Sequence, residues 1–280
     1  MAEAGPSIDS AIKVSLEYVA LADDSRRDRP PEPHVRAIAV PALIESLRAI
    51  RDFTAQHELD RLSTAVTTSE WTTSPQTVNA FYTPTSNEVV FPAAFLQPPY
   101  FDTDADLATN YGAIGAIIGH EIGHAVDDQG SKYDGDGNLH DWWTPDDRAP
   151  FETKIRQLID QYEVLVPDGF DAPRHVDGRL TVSENMADLS GLRIAIAAYR
   201  GAAQRRGEVA DLRTLFLSWA RCWRMQQTPQ FAEAALAGNT HAPSEFRTNQ
   251  VVRNIAEFCS TFGVTADDRL FLPEEQRLEL

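Results

Sequence analysis

The sequence predicts a mainly helical protein with one small β element. Three observations carry that prediction. Most apolar residues recur at helical spacing, and only one pair of short runs is rich in β-branched and aromatic residues. The composition, 42% hydrophobic and 24% charged, is that of an ordinary folded chain. At 280 residues the chain can bury a sizeable core as one large domain or two small ones, and no internal repeat or low-complexity tract interrupts it.

Near the N-terminus, "SIDSAIKVSLEYVALA" has the pattern of a short amphipathic helix, and "DDSRRDRPPEP" (residues 23–33) that of an exposed linker. Residues 1–34 are therefore assigned to an N-terminal helix and linker, and residues 35–280 to one main domain. Ile38, Leu43, Leu47, Ile50 and Phe53 fall at helical intervals and place a helix over 35–62. "TVNAFYT" and "NEVVFP" flank "PTSN" and predict a hairpin. "DADLATNYGAIGAIIGHEIGHAVDDQG" predicts one long helix, with Asp residues near its start and Gly130 at its end. "SKYDGDGNLHDWW" reads as a loop. Its "DGDGN" (residues 134–138) suggests a calcium loop only faintly. An EF-hand needs Gly and Glu where this chain has Leu139 and Pro145, so a turn is expected. Further helices are expected over 151–163, from Thr181 onward with Thr181 and Glu184 in capping-box spacing, over 211–225 and over 250–262.

Charge and cysteine usage exclude several classes of partner. The formal net charge of −17 argues against nucleic acid and anionic membrane, both of which repel such a surface. No apolar run approaches the roughly 20 residues of a membrane span. The N-terminal stretch lacks the basic and apolar regions of a signal peptide. Cys222 and Cys259 are far apart and outside any CxxC spacing, which suits two free thiols in a reducing compartment. The expectation is a cytoplasmic protein.

The stretch "AIIGHEIGHAVDD" (residues 116–128) concentrates the chemistry. On a helix of 3.6 residues per turn, His120 and His124 lie about 40° apart, so both imidazoles leave one face. Two neutral imidazoles one turn apart can share a zinc ion, and Glu121 beside them is placed to act as a general base on water. Taken alone, the pattern also fits two histidines on a solvated helix face. A catalytic zinc needs a third protein ligand, and "SENMADLSG" offers Glu184, with Asp188 on the same face to accept the free N–H of a ligating imidazole. Spacing alone leaves an acidic, solvated helix face slightly ahead of that reading. Gly112, Gly115, Gly119 and Gly123 form a stripe on the histidine helix, each costing roughly 0.5–1 kcal/mol relative to Ala. Close approach of another helix, the one bearing Glu184, would offset that cost.

Four segments in order, "NAFYTPTSNEVVFPAAFLQPPYF", "IIGHEIGHAVDDQG", "SENMADLSGL" and "THAPSEFRTNQVVRN", resemble the neprilysin-type zinc metallopeptidases, gluzincins that include neprilysin and endothelin-converting enzyme. The resemblance covers roughly residues 36 to 275. It implies a zincin-like catalytic domain with one Zn2+ per chain, held by His120, His124 and Glu184. It also implies Glu121 as general base, Asp188 as the carboxylate orienting a ligating histidine, and His241 as the group stabilising an oxyanion. Asn79 and Ala80 match a strand that holds an extended peptide, and Arg247 an arginine that grips a substrate carbonyl or carboxylate on the primed side. Phe95, Tyr100, Ile117, Cys222 and Trp223 fall where the family lines its hydrophobic S1′ pocket. Read without the family, Asn79, His241 and Arg247 are ordinary polar residues.

The chain departs from the family in length. Some 75 residues precede the Asn-Ala match, so most of the family's N-terminal lobe has no counterpart, and a partner chain replacing it is an expectation. Cys222 is small where the family has a larger aliphatic residue. The expected activity is zinc-dependent cleavage of peptide or amide bonds before an apolar residue. Two alternatives stand beside it. One is a tailoring enzyme acting on a small amide or a carrier- or leader-linked intermediate, and the other is a non-catalytic binding module.

Overall fold

The computed structural model describes residues 43–65, 71, 73–171 and 174–280. The helix and linker expected over residues 1–34 lie outside them. The described residues divide into two compact units, one containing α1 (Leu43–Arg61) and the other Ser74–Leu280. Helix α1 matches the described part of the helix expected over 35–62, whose residues 35–42 lie outside the described ones. Its Leu47, Ile50 and Phe53 are exposed.

In the larger unit, β1 (Phe81–Thr83) and β2 (Glu88–Val90) pair antiparallel, with Tyr82 opposite Val89. Asn87 takes the left-handed conformation (φ 52°) that the tight turn requires, and its Oδ1 accepts the Tyr82 hydroxyl at 2.9 Å. The single long helix expected from Asp104 onward is instead a run whose pitch changes three times. It comprises α2 (Leu107–Asn110), a π-helical turn at Tyr111–Gly115, α3 (Ala116–Gly123) and a 3₁₀ turn at His124–Val126. Asp106 starts it by accepting the Thr109 amide at 2.7 Å. At the π turn the Ile114 amide leaves the helical ladder for the Tyr100 carbonyl at 3.0 Å, which accounts for the slip.

Helix α4 (Pro145–Glu163) begins six residues before the expected start. Thr144 accepts the Asp147 amide, and Pro145, Asp146 and Asp147 fill the first turn, all favourable at a helix N-terminus. Helix α5 (Val182–Arg206) ends at Gly207 (φ 71°), a left-handed cap. The capping box expected at its start does not form. The Thr181 hydroxyl donates to Asp177 O and accepts from Asn185 Nδ2, both at 2.9 Å, while Glu184 turns toward the histidines. Helix α6 (Leu212–Cys222) is capped by Asp211. The helix α7 (Pro229–Gly238), started by Thr228 and Pro229, is not anticipated from sequence. The helix expected over 250–262 is two, α8 (Ser244–Arg253) and α9 (Ala256–Phe262). They part at Asn254, whose side chain donates to Gln250 O at 3.0 Å and accepts the Leu278 amide at 2.9 Å, pinning the C-terminal tail.

The glycine stripe does bring helices together. A Cβ on Gly119 would lie 2.6 Å from Gly191 O, and one on Gly123 would lie 2.5 Å from Ser190 Oγ, so α3 crosses α5 with backbones almost in contact. Gly112 abuts Leu215 of α6, whereas Gly115 meets only its own turn. Around this crossing, Leu189, Leu192, Leu215, Trp219 and Ile255 are fully buried and form the core. The crossing sets Asp188 and Glu184 of α5 against the histidine face of α3. No described helix is long and apolar enough to cross a membrane. Cys222 and Cys259 are unpaired and buried.

Candidate metal centre and substrate groove

His120 and His124 project from the end of α3 with their Nε2 atoms 3.1 Å apart. Each ring is held from behind by a carboxylate. His120 Nδ1 is 2.8 Å from Asp188 Oδ1, and His124 Nδ1 is 2.7 Å from Asp127 Oδ2. An ionised carboxylate only accepts, so in the neutral rings both Nδ1 atoms carry the proton and both Nε2 atoms present lone pairs. Two such acceptors facing each other at this distance repel unless a proton or a metal ion lies between them. Glu184 adds a third, its Oε2 lying 3.3 Å from His120 Nε2 and 3.8 Å from His124 Nε2. Glu184 Oε2 is buried and no donor meets it in hydrogen-bond geometry.

The residues therefore fit a zinc ion. A His-His-Glu donor set is one that catalytic zinc uses, and ligands at about 2.0–2.1 Å in a tetrahedron stand about 3.3 Å from one another. The three atoms lie within 4.8 Å of one another, the one such His, Cys, Asp or Glu group among the described residues.

Electrostatics tighten the site. Burial opposes ionisation of Asp188, but the Arg247 guanidinium overrides it and holds the carboxyl below the usual range. Arg247 donates from Nε to Asp188 Oδ2 at 2.7 Å and from Nη2 to Oδ1 at 2.8 Å, a bidentate pair. Its guanidinium also lies over the Trp223 ring, 3.8 Å from the centroid. Burial likewise opposes ionisation of Glu184, and the imidazoles of His120 and His241 beside it win, leaving the carboxyl far below its ordinary value. Without a metal, burial pushes His120 down, yet Asp188 and then Glu184 outweigh it and raise the ring to about 9. Burial raises the Glu121 carboxyl, against the pull of His120 and His124.

These groups line a groove of about 560 Å³. Of the residues singled out in the sequence, His120, Glu121, His124, Glu184, His241 and Arg247 meet there. Asn79 and Ala80 lie along it just before β1, and Phe95, Tyr100, Ile117 and Trp223 supply an apolar wall. Asp188 is fully buried behind His120. Cys222 does not line the groove. It faces an adjacent cavity, and burial pushes its thiol up to about 12. His241 Nε2 is 3.1 Å from Glu184 Oε2, and Asn239 Oδ1 accepts both the His241 amide and Nδ1. Asp127 is the residue sequence reasoning missed. Buried, it also accepts the Gln129 and Gly130 amides at 2.7 Å, and its signal was an acidic residue three positions after His124.

Comparison with known proteins agrees with this geometry. Residues 79–278 match the sequence model of Peptidase family M13. The chain is 35% identical over 239 residues to the neutral endopeptidase of Lactococcus lactis subsp. lactis, covering 85% of this chain and 37% of that protein. It is 36% identical over 233 residues to human endothelin-converting enzyme 1, covering 80% of this chain and 30% of the relative. The crystal structure of the zinc metalloprotease ZMP1 of Mycobacterium tuberculosis, in complex with inhibitor, superposes with a TM-score of 0.76 at 48% identity. That match covers 80% of this chain and 36% of that one. The chain thus spans about a third of the length of the curated relatives it matches.

Proposed function

The chain belongs to Peptidase family M13, and from that premise we propose that it is a zinc-dependent hydrolase cleaving peptide bonds before an apolar residue. The observation that carries this reading is the convergence of three lone-pair donors, His120 Nε2, His124 Nε2 and Glu184 Oε2, beside Glu121 in an open groove. Zinc, when bound there, supplies the positive charge that acidifies water and polarises a carbonyl.

The side chains divide the remaining work. Glu121, made more basic by its burial, takes a proton from the attacking water and passes it to the leaving amine. Asp188 and Asp127 lock the two imidazoles in the ligating tautomer. Because Asn239 fixes His241 Nδ1 as a donor, Nε2 donates to a developing oxyanion when the ring carries both protons. The backbone at Asn79 and Ala80 holds an extended peptide by strand addition. Arg247 is already committed to Asp188 through Nε and Nη2, and its Nη1 makes no hydrogen bond among the described residues, leaving that group to hold a substrate carbonyl. Phe95, Tyr100, Ile117 and Trp223 select an apolar side chain. A partner chain covering the groove, and a cytoplasmic location suited to two free thiols, belong to the same proposal.

The test is digestion of a peptide library and of a small-amide panel by the zinc-loaded chain, with chelated protein as control. Chelator-sensitive peptide cleavage with an apolar residue after the cut is expected. Cleavage confined to small amides would favour a tailoring enzyme, and tight peptide binding without cleavage a binding module.

A further inference from the structure

One face of α8 lines a cavity of about 490 Å³ that shares no lining residue with the groove. Glu245, Phe246, Asn249 and Arg253 follow one another at i, i+1, i+4 and i+8, the spacing of a single helical face. Two of these side chains carry charge that nothing balances. Arg253 is partly buried, and it donates from Nη1 to Gln250 Oε1 at 2.8 Å and from Nη2 to Phe271 O at 3.0 Å. Both acceptors are neutral, its buried Nε meets no acceptor, and the guanidinium has no ion pair among the described residues. Carboxylates are not scarce, since Asp and Glu number 42 against 25 Lys and Arg. Glu245 is also partly buried and also has no ion pair among the described residues. Its Oε1 accepts the Asp168 amide at 2.9 Å, and burial raises its carboxyl, with the pull of Arg269 the weakest influence on it. An acid in the first turn and a base in the last suit the helix dipole, which explains the signs but not why both charges line a cavity.

We propose that this cavity binds a dipeptide with apolar side chains, its ammonium held by Glu245 and its carboxylate by Arg253. Asp168 and Arg269 also line the cavity, so it holds two carboxylates and two guanidiniums. Such a balance favours a ligand that carries both charges over a bare anion or cation. Eight residues of helix separate Glu245 from Arg253, about 12 Å along the axis. Two charged contacts of about 2.8 Å take up nearly half of that. What remains is close to the roughly 7 Å that two extended residues span. Leu165, Phe246 and Leu270, partly buried against the core, supply the apolar surface for the ligand's side chains. The inference goes beyond the hydrolase reading and does not depend on it.

The experiment is calorimetric titration of Leu-Leu into zinc-loaded Glu121→Gln protein, its groove filled beforehand with a peptide hydroxamate that ligates zinc. One dipeptide per chain should bind. N-acetyl-Leu-Leu, which lacks the ammonium, and Leu-Leu amide, which lacks the carboxylate, should each bind about tenfold more weakly or worse. Adding Glu245→Gln should weaken Leu-Leu by a similar factor and remove its advantage over the acetylated form. Arg253→Gln should likewise remove its advantage over the amide. The blocked peptides probe the unaltered cavity, so the test stands even where Arg253→Gln fails to fold. Absence of Leu-Leu binding overturns the proposal, as do blocked peptides that bind equally well and binding that survives both substitutions. Inorganic phosphate bound as tightly as Leu-Leu would show a bare anion site and overturn it too. Failure of the hydroxamate to bind would count against the zinc hydrolase reading alone.

Discussion

Gly119→Ala offers a direct trial of the helix crossing behind the metal centre. The added methyl would sit 2.6 Å from Gly191 O and 2.9 Å from Gly191 Cα, both backbone atoms that cannot rotate away. Restoring an ordinary contact near 3.4 Å means moving α3 from α5 by about 0.8 Å, and overpacking of this kind costs about 1–3 kcal/mol. The displacement matters more than the energy. His120 is the next residue on α3, and Glu184 and Asp188 are on α5, so the shift acts directly on the ligand spacing of 3.3 Å. Zinc sites tolerate roughly ±0.2 Å in ligand distance, a quarter of that displacement. The expected result is a zinc affinity lower by about 10- to 100-fold. Melting midpoints with and without zinc, and a competitive chelator titration, would measure both effects. Gly115→Ala is the control, since its methyl would come no nearer than 3.4 Å to any neighbour. If Gly119→Ala binds zinc and melts like the wild type, close packing is not what aligns the ligands.

Four further outcomes follow from the site. Glu184→Ala should lose most bound zinc by elemental analysis, because two imidazoles cannot complete the site, and full occupancy would remove Glu184 from the ligand set. Glu121→Gln should keep its zinc and lose turnover by about 10²–10⁴-fold or more, and near-wild-type hydrolysis would refute the proton-transfer role. Asp188→Asn strands the buried Arg247 charge, so it should cost on the order of 3–5 kcal/mol in denaturant melts as well as weaken zinc binding, and an unchanged melt would show the pair to be dispensable. In metal-free protein His120 is raised from 6.5 to about 9, so its stabilisation is full below pH 6.5 and is lost as pH rises through 9. Apo melting midpoints should therefore fall across that window, and a His120→Gln variant should flatten the fall.

What the sequence disclosed, and what it withheld, divide along the range of the interactions. His120, Glu121 and His124 were legible because one helix encodes their geometry within five residues. Asn79, His241 and Arg247 were legible by resemblance alone, since nothing local distinguishes them. The Arg247–Asp188 pair spans 59 positions and exists only once α8 packs beside α5. The capping box at Thr181 misled because the Glu184 carboxylate turns to the histidines rather than to the helix terminus. Helix α7 escaped notice because it is short and rich in alanine, although Thr228-Pro229 was a readable start signal. The early start of α4 escaped because Pro150, an apparent boundary, lies inside the helix, which Pro145 and the Thr144 cap start about one and a half turns earlier.

The slipped turn at Tyr111–Gly115 makes the run from Leu107 to Gly123 two helices indexed one residue apart. Removing one residue there would restore a regular pitch and swing α2 by about 100° about its axis relative to α3. Gly112 would leave Leu215, while the register from Gly119 to His124 would be untouched. The turn is thus a rotational joint that separates two kinds of tolerance. Changes of length upstream of Ala116 fall on the anchorage of α2, whereas changes of side-chain volume downstream fall on the metal. A deletion variant that still binds zinc but melts early would place the joint where the hydrogen bonding puts it.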